Sequence, residues 1–455
     1  MRRGEIKKRS DVHYNKPEYR LLVEQLLSRY PDVQRLDGYA DVNCGPFGSE
    51  ITSSDYVEQG VPLLRISNIT KEGQIDTDEL VFITETKASK LLSTQVKPGD
   101  IVISQRGTLG LPAVVPEGFP TSNISANLIA VRNLTGVSAE FVQLYFSSSV
   151  GGKQVERTQS GQVQSKITTE DVASVLVPQT PLESELVSAM QAARARRAAK
   201  LQAADAELAG IDGFLLEQLG LATQPTSSRP FFAVQLSELQ KASRLNIDYF
   251  QPERIEAIRT VQTTNRDDLR SAPLHEIVDF VRDQVSADSD ENYLGLANVQ
   301  SNTGELVATE SEVGGICFAF QRDDVLFGRL RPYLNKVYKA EQSGICSTEF
   351  HVMRLRSELE TGYTLLPEYL ATILRSSLVL AQTRHMMTGN THPRLANEDV
   401  INLIVPIPMD LKVQTAIAQE VQRRRESARE LREDAAREWE QAKAEFERRL
   451  LGAKK

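Results

Sequence analysis

The residues of this chain that could do chemistry stand in polar loops that recur in both halves of the sequence. In the first half they are Ser104-Gln-Arg-Gly-Thr108, Thr121-Ser-Asn-Ile-Ser125 and Gln159-Ser-Gly-Gln-Val-Gln-Ser-Lys166. In the second they are Arg329-Leu-Arg-Pro-Tyr-Leu-Asn-Lys336, Ser347-Thr-Glu349 and Thr388-Gly-Asn-Thr-His-Pro-Arg394. Arg and Lys suit guanine edges and phosphates, Asn and Gln suit adenine, and Ser and Thr hydroxyls suit phosphate oxygens. Gly107, Gly161 and Gly389 would let the backbone approach a phosphate closely. The candidate contact residues are therefore Arg106, Asn123, Gln162, Gln164 and Lys166, then Arg329, Arg331, Asn335, Thr391 and Arg394. Arg65 and Lys336 read as phosphate ligands or partners in local ion pairs.

Catalytic signatures are missing from the sequence. There is no GxxxxGK[ST] phosphate loop, since Gly151-Gly152-Lys153 lacks both the spacing and the following hydroxyl residue. No GxGxxG, GxSxG or HExxH occurs, nor the Asn/Asp-Pro-Pro-aromatic tetrapeptide of amino-methyltransferases. The carboxylate pairs Asp267-Asp268 and Asp323-Asp324 sit in turn-like contexts and read as turn or cap residues. The 5 histidines are scattered without ligand pairing, so no metal and no cofactor is assigned. The 3 cysteines, an odd number without CxxC spacing, point to a reducing cytoplasm rather than a disulfide framework. No apolar run is long enough to span a membrane, and the basic N-terminus precedes no apolar signal core. A net charge of −8 argues against coating nucleic acid by bulk charge, yet leaves room for a local basic surface.

The elements that must position these loops come in two copies. Tyr14-Asn-Lys-Pro17-Glu18 returns as Tyr249-Phe-Gln-Pro252-Glu253, and the Asn68 strand as the Asn298 strand. Gly99-Asp100-Ile-Val102 returns as Asp323-Asp324-Val-Leu326. Gly161 to Pro178 is answered by Gly389 to Pro406, and Phe214 near one helix end by Phe446 near another. The common order and near-constant offset mark an internal duplication. Each half reads as a short opening helix (Tyr19 to Tyr30; Glu253 to Gln262) and then short Val- and Ile-rich strands broken by turn residues. A helix follows (Ala139 to Ser148; Leu366 to Arg375), then a polar loop, then a Pro-bounded strand (Ser174 to Val177; Asn402 to Val405).

A long amphipathic helix closes each half, from Pro181 to Leu221 and from Met409 to Gly452. Their apolar residues step by threes and fours, as in a coiled-coil seam, and each seam is the simplest partner for the other. The run Arg194, Arg196, Arg197, Lys200 reads as a solvated face, and Trp439 and Phe446 as seam or docking residues. The expected fold is α+β: two mixed α/β globular domains joined by two long antiparallel helices, with an internal pseudo-two-fold. The expected boundaries are 1–35 (N-terminal extension and helix), 36–178 (first domain), 179–222 (central helix), 223–272 (linker and opening segment), 273–406 (second domain) and 407–455 (C-terminal helix). Ala222 to Pro230 reads as the linker between halves.

This layout resembles the specificity subunit of type I restriction-modification systems. The resemblance is carried by Tyr14 to Pro17 and Tyr249 to Pro252, the Asn68 and Asn298 strands, Gly99 to Val102, the paired runs 161–178 and 389–406, and the Phe/Leu/Gly helix ends. It covers essentially the whole chain. It implies a non-catalytic DNA reader in the cytoplasm, each globular domain recognising one half of a bipartite asymmetric site. The implied partners are double-stranded DNA, two methyltransferase (modification) subunits docked on the helices and, where restriction accompanies modification, restriction/translocase subunits. A helix of about 36 residues spans about 54 Å, or roughly 16 base pairs of duplex, which leaves room for two half-sites and a spacer. Two other classes fit the same residues: a nucleic-acid enzyme with an unrecognised active site, and a coiled-coil assembly protein.

Overall fold

The computed structural model describes the chain except residues 1–13, 15, 47–49, 159–165, 222–231, 243–246, 265, 287–291, 310–314, 358–363, 389–392 and 453–455. It divides into two compact units: residues 1–199 with 434–455, and residues 200–433. Among the described residues no helix is long and apolar enough to cross a membrane.

Unit 1 begins with α1 (Pro17–Arg29), whose first position is the proline of the repeated motif. Pro fits there because the first helical N–H needs no partner and φ is already helical. There follow β1 (Gln34–Arg35), β2 (Asp41–Cys44), β3 (Tyr56–Val57), β4 (Val61–Leu64), β5 (Val81–Ile83), α2 (Glu85–Lys90) and β6 (Gln95–Val96). Then come β7 (Ile101–Ser104), β8 (Pro112–Val114), β9 (Ser122–Ile124), β10 (Leu128–Arg132), α3 (Ala139–Ser147), α4 (Ser149–Thr158), α5 (Thr169–Ala173) and β11 (Leu176–Val177). A four-stranded sheet runs β2-β10-β7-β8, a five-stranded sheet β3-β5-β4-β9-β6, and β1 pairs with β11. Alternation along β7 and β10 divides the core. Ile101, Ile103, Ile129 and Val131 face the helices, with Phe141, Tyr145, Leu186, Met190 and Phe446. Val102, Leu128 and Ala130 face Leu64, Val96 and Ile124 of the second sheet.

The first long helix, α6 (Glu183–Leu219), begins in unit 1 and ends in unit 2. Unit 2 then holds α7 (Leu236–Ala242), α8 (Pro252–Gln262), β12 (Leu269–Pro273), α9 (Leu274–Ile277), β13 (Val278–Val281), β14 (Gln284–Ser286), β15 (Tyr293–Leu294) and β16 (Ile316–Phe320). Next are β17 (Val325–Gly328), β18 (Val337–Lys339), β19 (Gly344–Ser347), β20 (Phe350–Leu355), α10 (Pro367–Leu374) and α11 (Ser377–Thr383). It closes with β21 (Met387–Thr388), β22 (Arg394–Leu395), α12 (Asn397–Ile401), β23 (Ile404–Pro408) and the start of α13 (Leu411–Leu451). The sheet β13-β20-β17-β18 repeats the order β2-β10-β7-β8, β14-β16-β19-β15 is the second sheet, and β12 pairs with β23. In both units the second sheet contains one parallel pair, β4 with β9 and β15 with β19.

The residues that repeat in sequence explain the repeated fold. Asn68 accepts from the Arg65 N–H at 3.0 Å, and Asn298 accepts from the Gly295 N–H at 2.8 Å. Asp100 and Asp324 each accept from a backbone N–H three residues upstream, at 2.8 and 2.7 Å. Asp324 is also held by a bidentate pair with Arg354, which confirms the turn reading over an acid–base pair. Gln154 exchanges two hydrogen bonds with the backbone of Leu176, and Gln382 does the same with Ile404. The Tyr145 and Tyr369 hydroxyls donate to the Leu176 and Pro406 carbonyls, both at 2.7 Å. Gly220 and Gly452 end the long helices with positive φ, +65° and +68°.

The long helices also meet the backbone needs of each unit. In unit 1 Glu447 accepts from Ser149 N–H at 2.5 Å, and Glu183 accepts from Ser138 N–H at 2.7 Å. In unit 2 Asp212 accepts from Ser377 N–H at 2.8 Å, and Gln414 accepts from Leu366 N–H at 2.9 Å. A helix leaves its first N–H groups unsatisfied, and these side chains supply the acceptors. Ion pairs cross the antiparallel helices within each unit, Glu185–Arg449 and Arg196–Glu438 in unit 1 and Asp205–Arg432 in unit 2. The seam reading thus extends to polar residues, because the helices bond to the globular parts as well as to each other.

Two expectations change. The segment after α3 is a helix, α4, rather than a loop; Gly151 and Gly152 depress helix propensity there. Gly151 is needed because a Cβ would sit 2.2 Å from the Tyr145 carbonyl oxygen. The expected Asn68 strand ends before that residue: β4 stops at Leu64, and Ile66–Asn68 is a short 3-10 segment. The expected linker, Ala222 to Pro230, lies outside the described residues. Replacing Gln382 by Ala strips both backbone groups of Ile404 of their clamp, and each orphaned group costs about 1–3 kcal/mol. Denaturant unfolding of this variant is expected to show the loss, while Gln422→Ala, an exposed change on α13, stays within about 0.5 kcal/mol of the parent.

Candidate nucleic-acid interface

In unit 1 the loop after β7 is built by its own backbone. Gly110 N–H donates to Ser104 O at 2.9 Å, and the Ser104 hydroxyl bonds to Thr108 O and accepts from Leu111 N–H. Two further bonds place the loop in its surroundings. Gln105 N–H donates to Asn127 O at 2.9 Å, and Ile167 N–H donates to Gln105 O at 3.3 Å. The second bond sets Lys166, half-buried, beside the loop whose exposed tip is Arg106. Arg106 and Lys166, far apart in sequence, therefore belong to one cluster.

Unit 2 repeats this stitching. Arg329 N–H donates to Glu349 O at 2.9 Å, and Leu395 N–H donates to Arg329 O at 3.0 Å. Arg331 N–H donates to Pro393 O at 2.7 Å, and Leu330 bridges Arg394. The backbones of Arg329, Arg331 and Arg394 are thus brought together. Arg331 is exposed, with a left-handed φ of +48°. Arg394 is gripped by Glu349 through Nε at 3.0 Å and Nη2 at 2.5 Å. That pair fixes a planar guanidinium at the cluster's edge.

Other predicted residues take different places. Asn123 is fully buried in β9, its amide donating to Leu91 O and Thr94 Oγ1, both at 3.0 Å. Asn335 is also buried, in a left-handed turn, and donates to Arg375 O at 2.8 Å and Asn302 Oδ1 at 3.3 Å. Both are corrections: these amides hold loops to the core and do not reach a surface. Polar type and loop position could not separate them from contact residues, because burial is set by strand register. Gln162, Gln164 and Thr391 lie outside the described residues. Arg65 donates to Glu79 O and Lys336 to Leu296 O at 2.7 Å, so both serve local carbonyls. Among the described residues no group of acidic, His and Cys side chains could hold a metal.

Two residues that the sequence did not single out belong to the unit 2 cluster. His351, 6% exposed, lies opposite Phe327 in the β17–β20 register and meets the Phe280 ring edge-on at 6.1 Å. Arg282 follows Val281, which pairs with Val352, so it stands across from His351. Burial, then the charges of Arg329 and Arg282, push the His351 pKa down to about 3. At neutral pH the ring is uncharged. The only sequence signal was a His in a strand whose counterpart in unit 1 is Ile129, at the same register position opposite Ile103.

Asn123→Ala leaves the Leu91 carbonyl and the Thr94 hydroxyl without their amide, so thermal or denaturant unfolding should show a loss of about 1–3 kcal/mol. Arg106→Ala, at an exposed tip, should change stability by no more than about 0.5 kcal/mol. His351 gives a pH signature. Its folded pKa lies below the unfolded value, so between about pH 6.5 and about pH 3 the unfolded chain binds the extra proton and stability falls with pH. His351→Ile should flatten the acid limb of the stability curve in that window relative to the parent, and leave it unchanged above it.

No protein-family model matches the sequence, and no curated protein matches it significantly. Among solved structures the chain is similar to the S subunit of a type I restriction-modification system from M. genitalium, at 11% identity and a TM-score of 0.43, over 92% of this chain and 95% of that one. It is similar to the HsdS subunit from Thermoanaerobacter tengcongensis, at 16% identity and a TM-score of 0.39, over 92% and 96%. It is also similar to a chain from a structural study of complex assembly and conformational transition of the type I R-M system, at 18% identity and a TM-score of 0.45, over 92% and 95%.

Proposed function

We propose that this chain is the DNA sequence-recognition subunit of a type I restriction-modification complex. One observation carries the reading: two units with the same sheet order present, at the same stitched loop positions, different polar and basic side chains. Gln105 in unit 1 occupies the backbone position of Arg329 in unit 2, and Asn127 that of Glu349. A frame held constant while its contact residues change is what reading two unlike half-sites requires. Charged tips such as Arg106 and Arg331 suit guanine edges or phosphates in the major groove. The chain itself would supply recognition and no catalysis; methyl transfer would belong to two modification subunits docked on the long helices. The ordered sequence motifs that resemble the specificity subunits support the same reading. The work would take place where the DNA is, in the cytoplasm.

The test is co-expression with the methyltransferase subunit of the same system, followed by single-molecule sequencing for N6-methyladenine. A split motif methylated on opposite strands in its two halves is the expected result. Exchanging residues 36–178 for another such domain should change one half-site and leave the other. A stable complex with no methylated motif would instead favour an assembly protein. Arg331→Ala is expected to relax one position of one half-site, at a cost of about 1–3 kcal/mol in discrimination.

A further inference from the structure

The unit 2 cluster contains two buried polar atoms with no partner among the described residues, Nε of Arg329 and Nε2 of His351. They are neighbours. Arg329 faces Glu349 across the strands and His351 faces Phe327, so all four alternate onto the same face of the β17–β20 pair. Arg282 stands on the other side of His351, one residue beyond β13. Native proteins satisfy nearly all buried polar groups, and an orphan costs about 1–3 kcal/mol. Two adjacent orphans that can both be donors, flanked by a second guanidinium, describe a place waiting for an acceptor. Glu349 does not fill it, because its carboxylate is taken by Arg394.

We propose that Arg329, His351 and Arg282 form an oxyanion site in unit 2 that takes a phosphate group and has no counterpart in unit 1. The equivalent register positions in unit 1 hold Gln105, Ile129 and Cys44, which carry no positive charge. The neutral His351 ring has one N–H, and a phosphate oxygen selects the tautomer with the proton on Nε2. Arg329 and Arg282 supply the charge. The identification of the phosphate as one of the DNA backbone rests on the function proposed above; the anion site itself does not. Phosphate contacts fix register without reading sequence, so this site would anchor unit 2 on the duplex while unit 1 depends on its loop residues.

The repeat supplies fold-compatible variants, His351→Ile and Arg329→Gln, each installing the unit 1 residue. Arg282→Gln, at an exposed position, keeps the test open should either core change unfold the chain. The full chain, with its imidazoles labelled, is titrated with inorganic phosphate, and DNA affinity is measured against salt with the methyltransferase present. Phosphate should shift the His351 resonance. DNA affinity should fall about tenfold or more in Arg329→Gln, with the slope of log K against log salt reduced by about 0.9. His351→Ile should weaken binding without changing that slope, because the ring it removes is neutral. DNA binding with an unmoved His351 resonance and unaffected variants would overturn the site and leave the recognition reading intact. A phosphate-dependent shift in a chain that binds no DNA in any complex would overturn the DNA source and the recognition reading, and leave a site for free phosphate.

Discussion

Each unit depends on a pair of backbone hydrogen bonds that stitch three distant segments into one surface. The residue after β7 or β17 donates to the turn before β10 or β20 and accepts from the segment before α5 or α12. A backbone position stitched on both sides cannot slide by one residue without turning every side chain of the strand to the other face. The polar loops are therefore held largely by main-chain geometry, and exposed side chains such as Arg106 and Arg331 are not needed to hold them. This is the condition under which a loop can change its residues without losing its shape.

The last strand of each unit extends that constraint. Gln154 and Gln382 complete both backbone groups of β11 and β23, and Tyr145 and Tyr369 donate to the same strands. Beyond them, acidic residues of the long helices cap helix starts in the globular parts. Polar bonds to backbone are directional, whereas apolar packing alone tolerates small shifts. Each globular part is thus referenced to the helix segments of its own unit through fixed acceptors. A chain with net charge −8 can still present local positive charge this way. Many of its carboxylates are consumed in pairs such as Glu420 with Arg423 and Arg424, while Arg106, Arg282 and Arg331 stay exposed at the loop clusters.

A division runs through the residues. Those that repeat between the halves, Pro17/Pro252, Asn68/Asn298, Asp100/Asp324, Gln154/Gln382 and Gly220/Gly452, are structural: helix starts, Asx turns, strand clamps and helix stops. Those that differ at equivalent positions, Gln105/Arg329, Asn127/Glu349, Ile129/His351 and Cys44/Arg282, stand at or beside the loop clusters, with Ile129 in the core of unit 1. Apart from Gln154/Gln382, which only the structure paired, the sequence revealed the first group by identity and so located the fold. Of the second it picked out only Arg329, a charged residue that stands out in a loop, as Arg331 and Arg394 do in the same unit and Arg106 and Lys166 in the other. Asn123 and Asn335 were misplaced for the converse reason. An amide has the same chemistry on a base edge and on a buried carbonyl, and only burial tells the two apart.

By itself the sequence determined the duplication, the long helices, the outline of each half and the loops that carry the basic residues. Those features rest on local propensity, periodicity and spacing, which are written along the chain. The tertiary structure decided which loop residues meet and which turn inward, and that α4 is a helix. It also placed His351 and Arg282 beside Arg329. These depend on strand register and on contacts between segments tens of positions apart, where a shift of one residue reverses inside and outside.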